Sequence, residues 1–390
     1  MSRATRGCGC AVAVLLLLIA VGAVAFWKVG LPWLRSRPPA PSGGELQVHV
    51  LDVGPIDGDS ILIISPTGKT VLIDAGEKGK GKLVLDALAR YKVDHLDYFI
   101  ATNPHSDHIG GVPEVFKGVK VATVIDNGVD LSTPQPAPTK AGTRGTTPRP
   151  APPTKPGKSP TSFFDNYEAA IKESGATYEK AQPVEKAPPG EKAQPGKYDL
   201  GGGVILTVLA PTDPFFTKEQ MKAGGNDTNA NSIVLRLDYG QFSMLLMGDA
   251  EAQTEERMLR QDPELKARLV KVGHHGSKYA TSAEFLKQVH PEVAIISDGA
   301  WNRYGHPDQG VLDRLKAAGA RVYRTDLQGE ISITTTGKQK GDSLYEIKTA
   351  KEAAAADLWT GREGQKDDSS RSGFIAYGDF GPPPKQKKTK

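Results

Sequence analysis

Cysteine is nearly absent. The 390 residues contain only Cys8 and Cys10, both ahead of the first long apolar run. The rest of the chain therefore has no disulfide, and no thiolate to ligate a metal or attack a substrate. Histidine is sparse as well, with eight in all and none between His108 and Asp249. There is no nucleophile elbow, no P-loop and no Gly-x-Gly-x-x-Gly following a strand. Ser277 stands near His275, but no third orienting partner is apparent for a Ser/His pair. Any metal must be held by His, Asp, Asn or Glu.

A basic core is missing too. The net charge is +4, yet residues 45–130 and 198–340 carry 31 acidic against 25 basic side chains. The positive excess lies in the N-terminus, in an insertion and in a tail ending Lys385-Gln386-Lys387-Lys388-Thr389-Lys390. A dedicated DNA groove usually has its basic side chains in the core. Nucleic acid is thus not supported as a partner by core charge, although metals and tails can bind phosphate.

What is present divides the chain. Arg3 and Arg6 precede Cys10 to Trp27, an almost wholly apolar stretch without a charge. Residues 1–28 read either as a secretory signal cleaved after Ala25, in the small-residue pattern Ala23-Val24-Ala25, or as a single membrane anchor. Either way the remainder is exported, to the periplasm, the exterior or the membrane surface. Residues 29–44 are a Pro/Ser/Gly linker, and residues 45–338 form the folded domain. It is interrupted by a Pro-rich disordered insertion at 131–160, with five basic and no acidic residues, and by a flexible stretch at 182–197. Residues 339–390 read as a low-complexity, basic-ended tail, with Leu358-Trp359 and Phe374 to Tyr377 as points where it could dock.

Within the domain, one stretch organises the rest. The apolar segment Leu96-Asp97-Tyr98-Phe99-Ile100 reads as a buried strand. It runs into Asn103-Pro104-His105-Ser106-Asp107-His108, and Gly110-Gly111 is expected to bend the chain sharply away. Two imidazoles and a carboxylate on a loop at a strand end suit a zinc-like ion. Further strands end in Asp74-Ala75-Gly76, Gly248-Asp249-Ala250 and His274-His275-Gly276-Ser277. An Asp at a strand end after Gly is placed to project into a site. Of the adjacent histidines, His274 and His275, one is expected to ligate and the other to face substrate.

The stretch from Asn103 to His108 resembles the His-x-His-x-Asp-His motif of the metallo-β-lactamase superfamily, with Asn103 in place of the first His. Asp52-Val53-Gly54 with Gly58-Asp59-Ser60, Asn226-Asp227 with Asn231-Ser232, Gly248-Asp249-Ala250, His274-His275-Gly276-Ser277, Tyr304-Gly305-His306-Pro307 and Thr325-Asp326 with Gly329 resemble the ComEC competence-protein branch, in the same order. The resemblance implies an α/β fold, the αββα sandwich of two mixed β-sheets with helices outside.

It also implies a metal set drawn from His105, Asp107, His108, Asp249 and His275. Around it, Asn103, Asp74, Asp59 and Arg303 would brace the site or face the substrate. His274, Asp107 and His306 are the candidates for catalysis, with His274, His306 and Arg303 expected to hold an anionic group or move a proton. The cofactor is expected to be Zn2+ or Mn2+ in one strong site. Asn103 and the missing middle His leave a second site weak or empty. An oxygen ligand from the Asn226 to Asn231 turn, or the Asn103 carbonyl, would favour the harder ion there. A zinc-like ion lowers the pKa of bound water from about 15.7 to about 7, roughly 12 kcal/mol of help in making hydroxide. The expectation is an exported hydrolase of a phosphodiester in an anionic small molecule or polymer. The rival is a degenerate binding module at the envelope. The chain lacks the many membrane spans of a DNA channel, and its oligomeric state is not legible.

Overall fold

In the computed structural model the described residues are 44–129, 163–181, 196–221, 226–261, 265–302, 304–341 and 343–362. The apolar N-terminal stretch, the 131–160 insertion, residues 182–195, Arg303 and residues 363–390 lie outside them. Among the described residues no helix is long and apolar enough to cross a membrane.

Among the described residues fifteen strands form two mixed sheets. In chain order they are β1 (Leu46–Val50), β2 (Ile61–Ile64), β3 (Thr70–Ile73), β4 (His95–Ile100), β5 (Lys120–Asp126), β6 (Thr177–Lys180), β7 (Lys197–Asp199) and β8 (Val204–Ala210), then β9 (Val234–Tyr239), β10 (Phe242–Leu246), β11 (Leu269–Lys271), β12 (Val293–Ile296), β13 (Arg321–Arg324), β14 (Ile331–Thr335) and β15 (Glu346–Thr349). The first sheet runs β15-β14-β1-β2-β3-β4-β5-β6 and the second β13-β12-β11-β10-β9-β8-β7. Each sheet pairs antiparallel strands on one side with parallel strands, β3 to β6 or β10 to β13, on the other.

The central strands β2, β3, β10, β11 and β12 look largely apolar in sequence because both faces are buried. Ile61, Ile63, Val71 and Ile73 meet Leu235, Leu237, Met244 and Leu246 between the sheets. The intervening Leu62 and Leu72 face the helices Gly81–Arg90, Val112–Gly118 and Phe163–Ser174. On the other side Leu245, Val270, Ala294 and Ile296 face the helices Ala252–Gln261, Ala283–Val289 and Gln309–Ala317. The result is four layers, αββα. The parallel strands β3, β4, β10, β11 and β12 end on the same side, and the loops that follow them meet there.

The domain does not stop at 338. β15 pairs antiparallel with β14, Ile331 opposite Thr349, and a short helix Ala355–Leu358 follows. The expected tail is therefore folded as far as residue 362. Trp359 packs against the outer core of the second sheet, while residues 374–377 lie outside the described residues. Lys197, at the end of the expected flexible stretch, opens β7.

Candidate metal centre

Backbone bonds first bring three loops together. The Asp59 N–H donates to the Asp107 carbonyl (3.2 Å), Ala75 to His108 (2.7 Å) and Gly111 to Gly76 (3.0 Å). Gly110 and Gly111 serve this contact in a way the sequence reading did not anticipate. Both have ordinary helical backbone angles, so no sharp bend depends on them. A Cβ on Gly110 would sit 2.3 Å from the Lys78 nitrogen, and one on Gly111 would sit 2.1 Å from the Ala75 oxygen. They are glycines because the motif helix Ser106–Ile109 packs backbone to backbone on the turn after β3.

Asp74 then sets the orientation of His108. Its carboxylate accepts from Thr102 N (2.7 Å), from Thr102 Oγ1 (2.6 Å) and from His108 Nδ1 (2.9 Å). With Nδ1 donating, Nε2 is the bare nitrogen. It lies 3.1 Å from Asp249 Oδ2 and 3.7 Å from Asp107 Oδ2. His275 is built the same way. Its Nδ1 donates to the Ser297 carbonyl at 2.9 Å, and Nε2 lies 3.3 Å from Asp107 Oδ2 and 3.5 Å from Asp249 Oδ1.

Asp107, His108, Asp249 and His275 thus bring one ligand atom each within 4.8 Å of one another. His108 Nε2, His275 Nε2 and Asp249 Oδ1 are buried and make no hydrogen bond. Buried polar atoms are rarely left without partners. Three such atoms aimed into one space, beside a further carboxylate, fit a divalent cation held by two nitrogens and two oxygens.

The electrostatics agree. Burial pushes the Asp107 and Asp249 carboxyls up, but the neighbouring imidazoles, His108 foremost, outweigh it and hold both below the usual range. Burial pushes the imidazoles down, but the carboxylates win. His108 is raised by Asp249, Asp107 and Asp74, and His275 reaches about 9 through Asp59, Asp249 and Asp107. Without a cation, His275 contributes stability that is fully present below its unfolded value near 6.5 and is lost as pH rises through about 9. A cation must displace that proton. Its stabilisation of the fold, read as the melting difference between loaded and metal-free protein, should therefore grow from pH 6.5 to 9, with proton release on loading. A pH-independent difference across that window would contradict this.

His274 is the outer histidine. It is partly exposed, 3.9 Å from Asp249 Oδ2, with Nδ1 3.4 Å from Glu251 Oε1. The pair diverges because His274 and His275 both have left-handed backbone, φ 46° and 51°. Such angles cost non-glycine residues about 1–3 kcal/mol each and collect at functional sites. His306 stands beyond, its ring 5.3 Å from that of His274 and parallel to that of exposed Tyr304 at 5.8 Å. Burial, then the charges of His275 and His274, press it down to about 3. It is neutral at ordinary pH, and would meet an anion as a hydrogen-bonding ring and not as a cation.

The other expected residues stand around the group. His105 caps the motif helix beside Asp107 and Asp249 and is not among the four. Asp59 is buried, paired to Lys271 Nζ, with its other oxygen 3.5 Å from His275 Nδ1. Arg303 lies outside the described residues.

Of the two parts expected of Asn103, its side chain takes the bracing one. Its Oδ1 accepts from the His105 N–H (2.9 Å), and its Nδ2 donates to Asn229 Oδ1 (2.9 Å) and Ser232 Oγ (3.1 Å). It ties the motif loop to the turn before β9. Asn103→His should therefore cost about 1–3 kcal/mol in lost buried hydrogen bonds and leave metal per chain unchanged. A gain of a second ion, by elemental mass spectrometry, would contradict this.

Three contributors escaped the sequence reading. Lys271 is a fully buried charge in an apolar strand, and that incongruity was the available signal. Glu251, also buried, accepts from the Asn226 N–H (3.2 Å) and faces His274. Ser297 acts through its backbone, which carries no residue signal.

Residues 53–213 match the family model of the metallo-β-lactamase superfamily. ComE operon protein 3 of Bacillus subtilis is 43% identical over 117 residues, covering 30% of this chain and 15% of its own length. Competence protein ComA of Neisseria gonorrhoeae is 38% identical over 108 residues, 27% of this chain and 16% of its own. The chain spans less than a fifth of the length of these curated relatives. The solved structure of the metallo-β-lactamase fold protein YhfI from Bacillus subtilis is 11% identical, covering 72% of this chain and 96% of that one, with a TM-score of 0.42.

Proposed function

The chain belongs to the metallo-β-lactamase superfamily, with competence proteins among its relatives, and from that premise we propose that it is a metal-dependent hydrolase of a phosphodiester. The observation that carries the reading is the convergence of His108 Nε2, His275 Nε2 and Asp249 Oδ1, buried and without hydrogen bonds, beside Asp107. Asp107, His108, Asp249 and His275 would hold one Zn2+ or Mn2+ ion. When bound, such an ion supplies Lewis acidity and brings a water's pKa to about 7.

The protein's own groups do the rest. Asp74 and the Ser297 carbonyl keep both imidazoles turned with Nε2 inward. His274, partly exposed and backed by Glu251, is placed to pass a proton to or from a group at the mouth. Neutral His306 and exposed Tyr304 form a wall against which an ester group can rest. Carboxylate ligands and hydrogen-bonding rings favour an anionic, oxygen-rich substrate, whether a small molecule or a nucleic acid strand. Residues 10–27 would export or anchor the domain.

The test is hydrolysis of bis(4-nitrophenyl) phosphate and of single- and double-stranded oligonucleotides after loading with Zn2+ or Mn2+. Turnover that disappears in Asp249→Ala supports the reading. Full loading without hydrolysis of any of them favours the second reading, a binding module at the envelope, which Asn103 at the first motif position also favours.

A further inference from the structure

Beyond the first sheet's β15, the chain returns across the end of the second sheet. Arg324, the largest fully buried side chain among the described residues, lies there. Its Nη1 donates to the carbonyls of Asp357 (3.2 Å), Leu358 (3.4 Å) and Thr360 (2.7 Å). Its Nε and Nη2 clasp Asp326 at 3.0 and 2.8 Å. The Asp326 side chain is buried and takes a second guanidinium on Oδ2, Arg362 Nε at 2.7 Å and Nη2 at 2.6 Å.

Arg362 then reaches the loop after β12 at both ends. Its Nη1 donates to the Ala300 carbonyl (2.9 Å), and its backbone N–H donates to the Pro307 carbonyl (3.0 Å). Between those points stand Tyr304 and His306. Within the loop, Asn302 Nδ2 donates to the His306 carbonyl (2.7 Å) and Asn302 Oδ1 accepts from its N–H (2.8 Å). Gln309, at the start of the next helix, adds a clamp. Its Nε2 donates to the Trp359 carbonyl (3.1 Å), and its Oε1 accepts from the Gly361 N–H (2.8 Å). The fit is close, since a Cβ on Gly361 would lie 2.7 Å from the Gln309 nitrogen.

We propose that residues 354–362 form a strap that fixes the outer wall of the metal pocket, with Arg362 as the positioning residue through which it acts on the loop bearing Tyr304 and His306. The strap's described hydrogen bonds go to this loop, to Arg324, to Gln309 and to Asp326, and none goes to Asp107, His108, Asp249 or His275. Its loss should loosen the wall and spare the metal. The planar guanidinium spans the Asp326 carboxylate and the Ala300 carbonyl through separate nitrogens, a fixed reach that one ammonium nitrogen does not reproduce. Lysine should therefore restore only part of the effect. The proposal concerns the same pocket as the hydrolase reading and rests on it only for the kinetic measurement.

The test uses the full chain and its variants Arg362→Ala, Arg362→Lys and Gln309→Ala. Hydrogen exchange is followed by mass spectrometry at residues 299–302 and 304–306, together with metal per chain. Arg362→Ala should speed exchange there by about tenfold or more with metal per chain unchanged, Arg362→Lys by less, and Gln309→Ala in the same segments. If bis(4-nitrophenyl) phosphate is a substrate, KM should rise about 3–10-fold with kcat nearly constant. Unchanged exchange in Arg362→Ala and Gln309→Ala would overturn the proposal. So would faster exchange throughout the chain with loss of metal, the mark of general destabilisation. A wild type that loads metal but hydrolyses nothing would count against the hydrolase alone, because the exchange measurement still decides the strap.

Discussion

Asp249→Asn is expected to purify as a folded protein with almost no divalent metal and no measurable hydrolysis. The side chain faces three imidazoles at once, His108 at 3.1 Å, His275 at 3.5 Å and His274 at 3.9 Å. With His108 Nε2 and His275 Nε2, its Oδ1 is buried and without a hydrogen-bond partner in the shared space. An amide keeps the shape but removes the charge and offers a weaker donor. Losing an outer-shell partner of a metal typically costs about 10–100-fold in affinity or activity, so losing a ligand of the inner group should cost more. Metal is to be scored per folded chain, because removing one partner of a buried ionic group also destabilises by about 3–5 kcal/mol. His95→Ala is the control. That histidine is exposed, on the far end of β4 and paired only with Asp94 and Asp97, and its removal should change neither quantity. Near-normal metal in folded Asp249→Asn would remove this residue from the site.

Lys271→Met should have the largest effect on stability, about 3–5 kcal/mol in urea unfolding of the metal-free protein. Lys271 is buried in β11, paired through Nζ to Asp59 and 3.4 Å from the Gly248 carbonyl. Methionine fills the space but takes the closest cation from the buried Asp59 carboxylate, leaving it only His275 Nδ1 at 3.5 Å. Replacing both partners, as in Lys271→Met with Asp59→Leu, should recover much of the loss, because an apolar pair of similar volume escapes the desolvation cost. If Lys271→Met costs less than about 1 kcal/mol, the pair is better solvated than its burial indicates.

Much of this was legible in the sequence, for physical reasons. Strands buried on both faces leave apolar runs, and β2, β3, β10 and β12 are such runs. Active loops follow strand ends, so the order of strand-end acids and histidines exposed the site although its halves lie some 140 residues apart. What stayed hidden depends on backbone geometry or on hydrogen bonds to main chain. The positive φ of His274 and His275 decides which imidazole turns inward, and no residue type announces it. Gly110 and Gly111 read as a bend, whereas their role is close packing. Residues 343–362 read as tail because they are polar. They are held by pairing with β14, by Arg324 donating to carbonyls, and by a few scattered apolar contacts, Leu344, Ile347 and Trp359, too sparse for periodicity to reveal.

The most direct test is metal per chain, by elemental mass spectrometry, after the chelated protein is reloaded with Zn2+ or Mn2+ and excess ion is removed. One ion per chain, retained in wild type and lost in Asp249→Asn, is the expected result. A wild type that holds no stoichiometric ion after reloading would contradict the assignment of Asp107, His108, Asp249 and His275 as a metal centre, and the hydrolase with it.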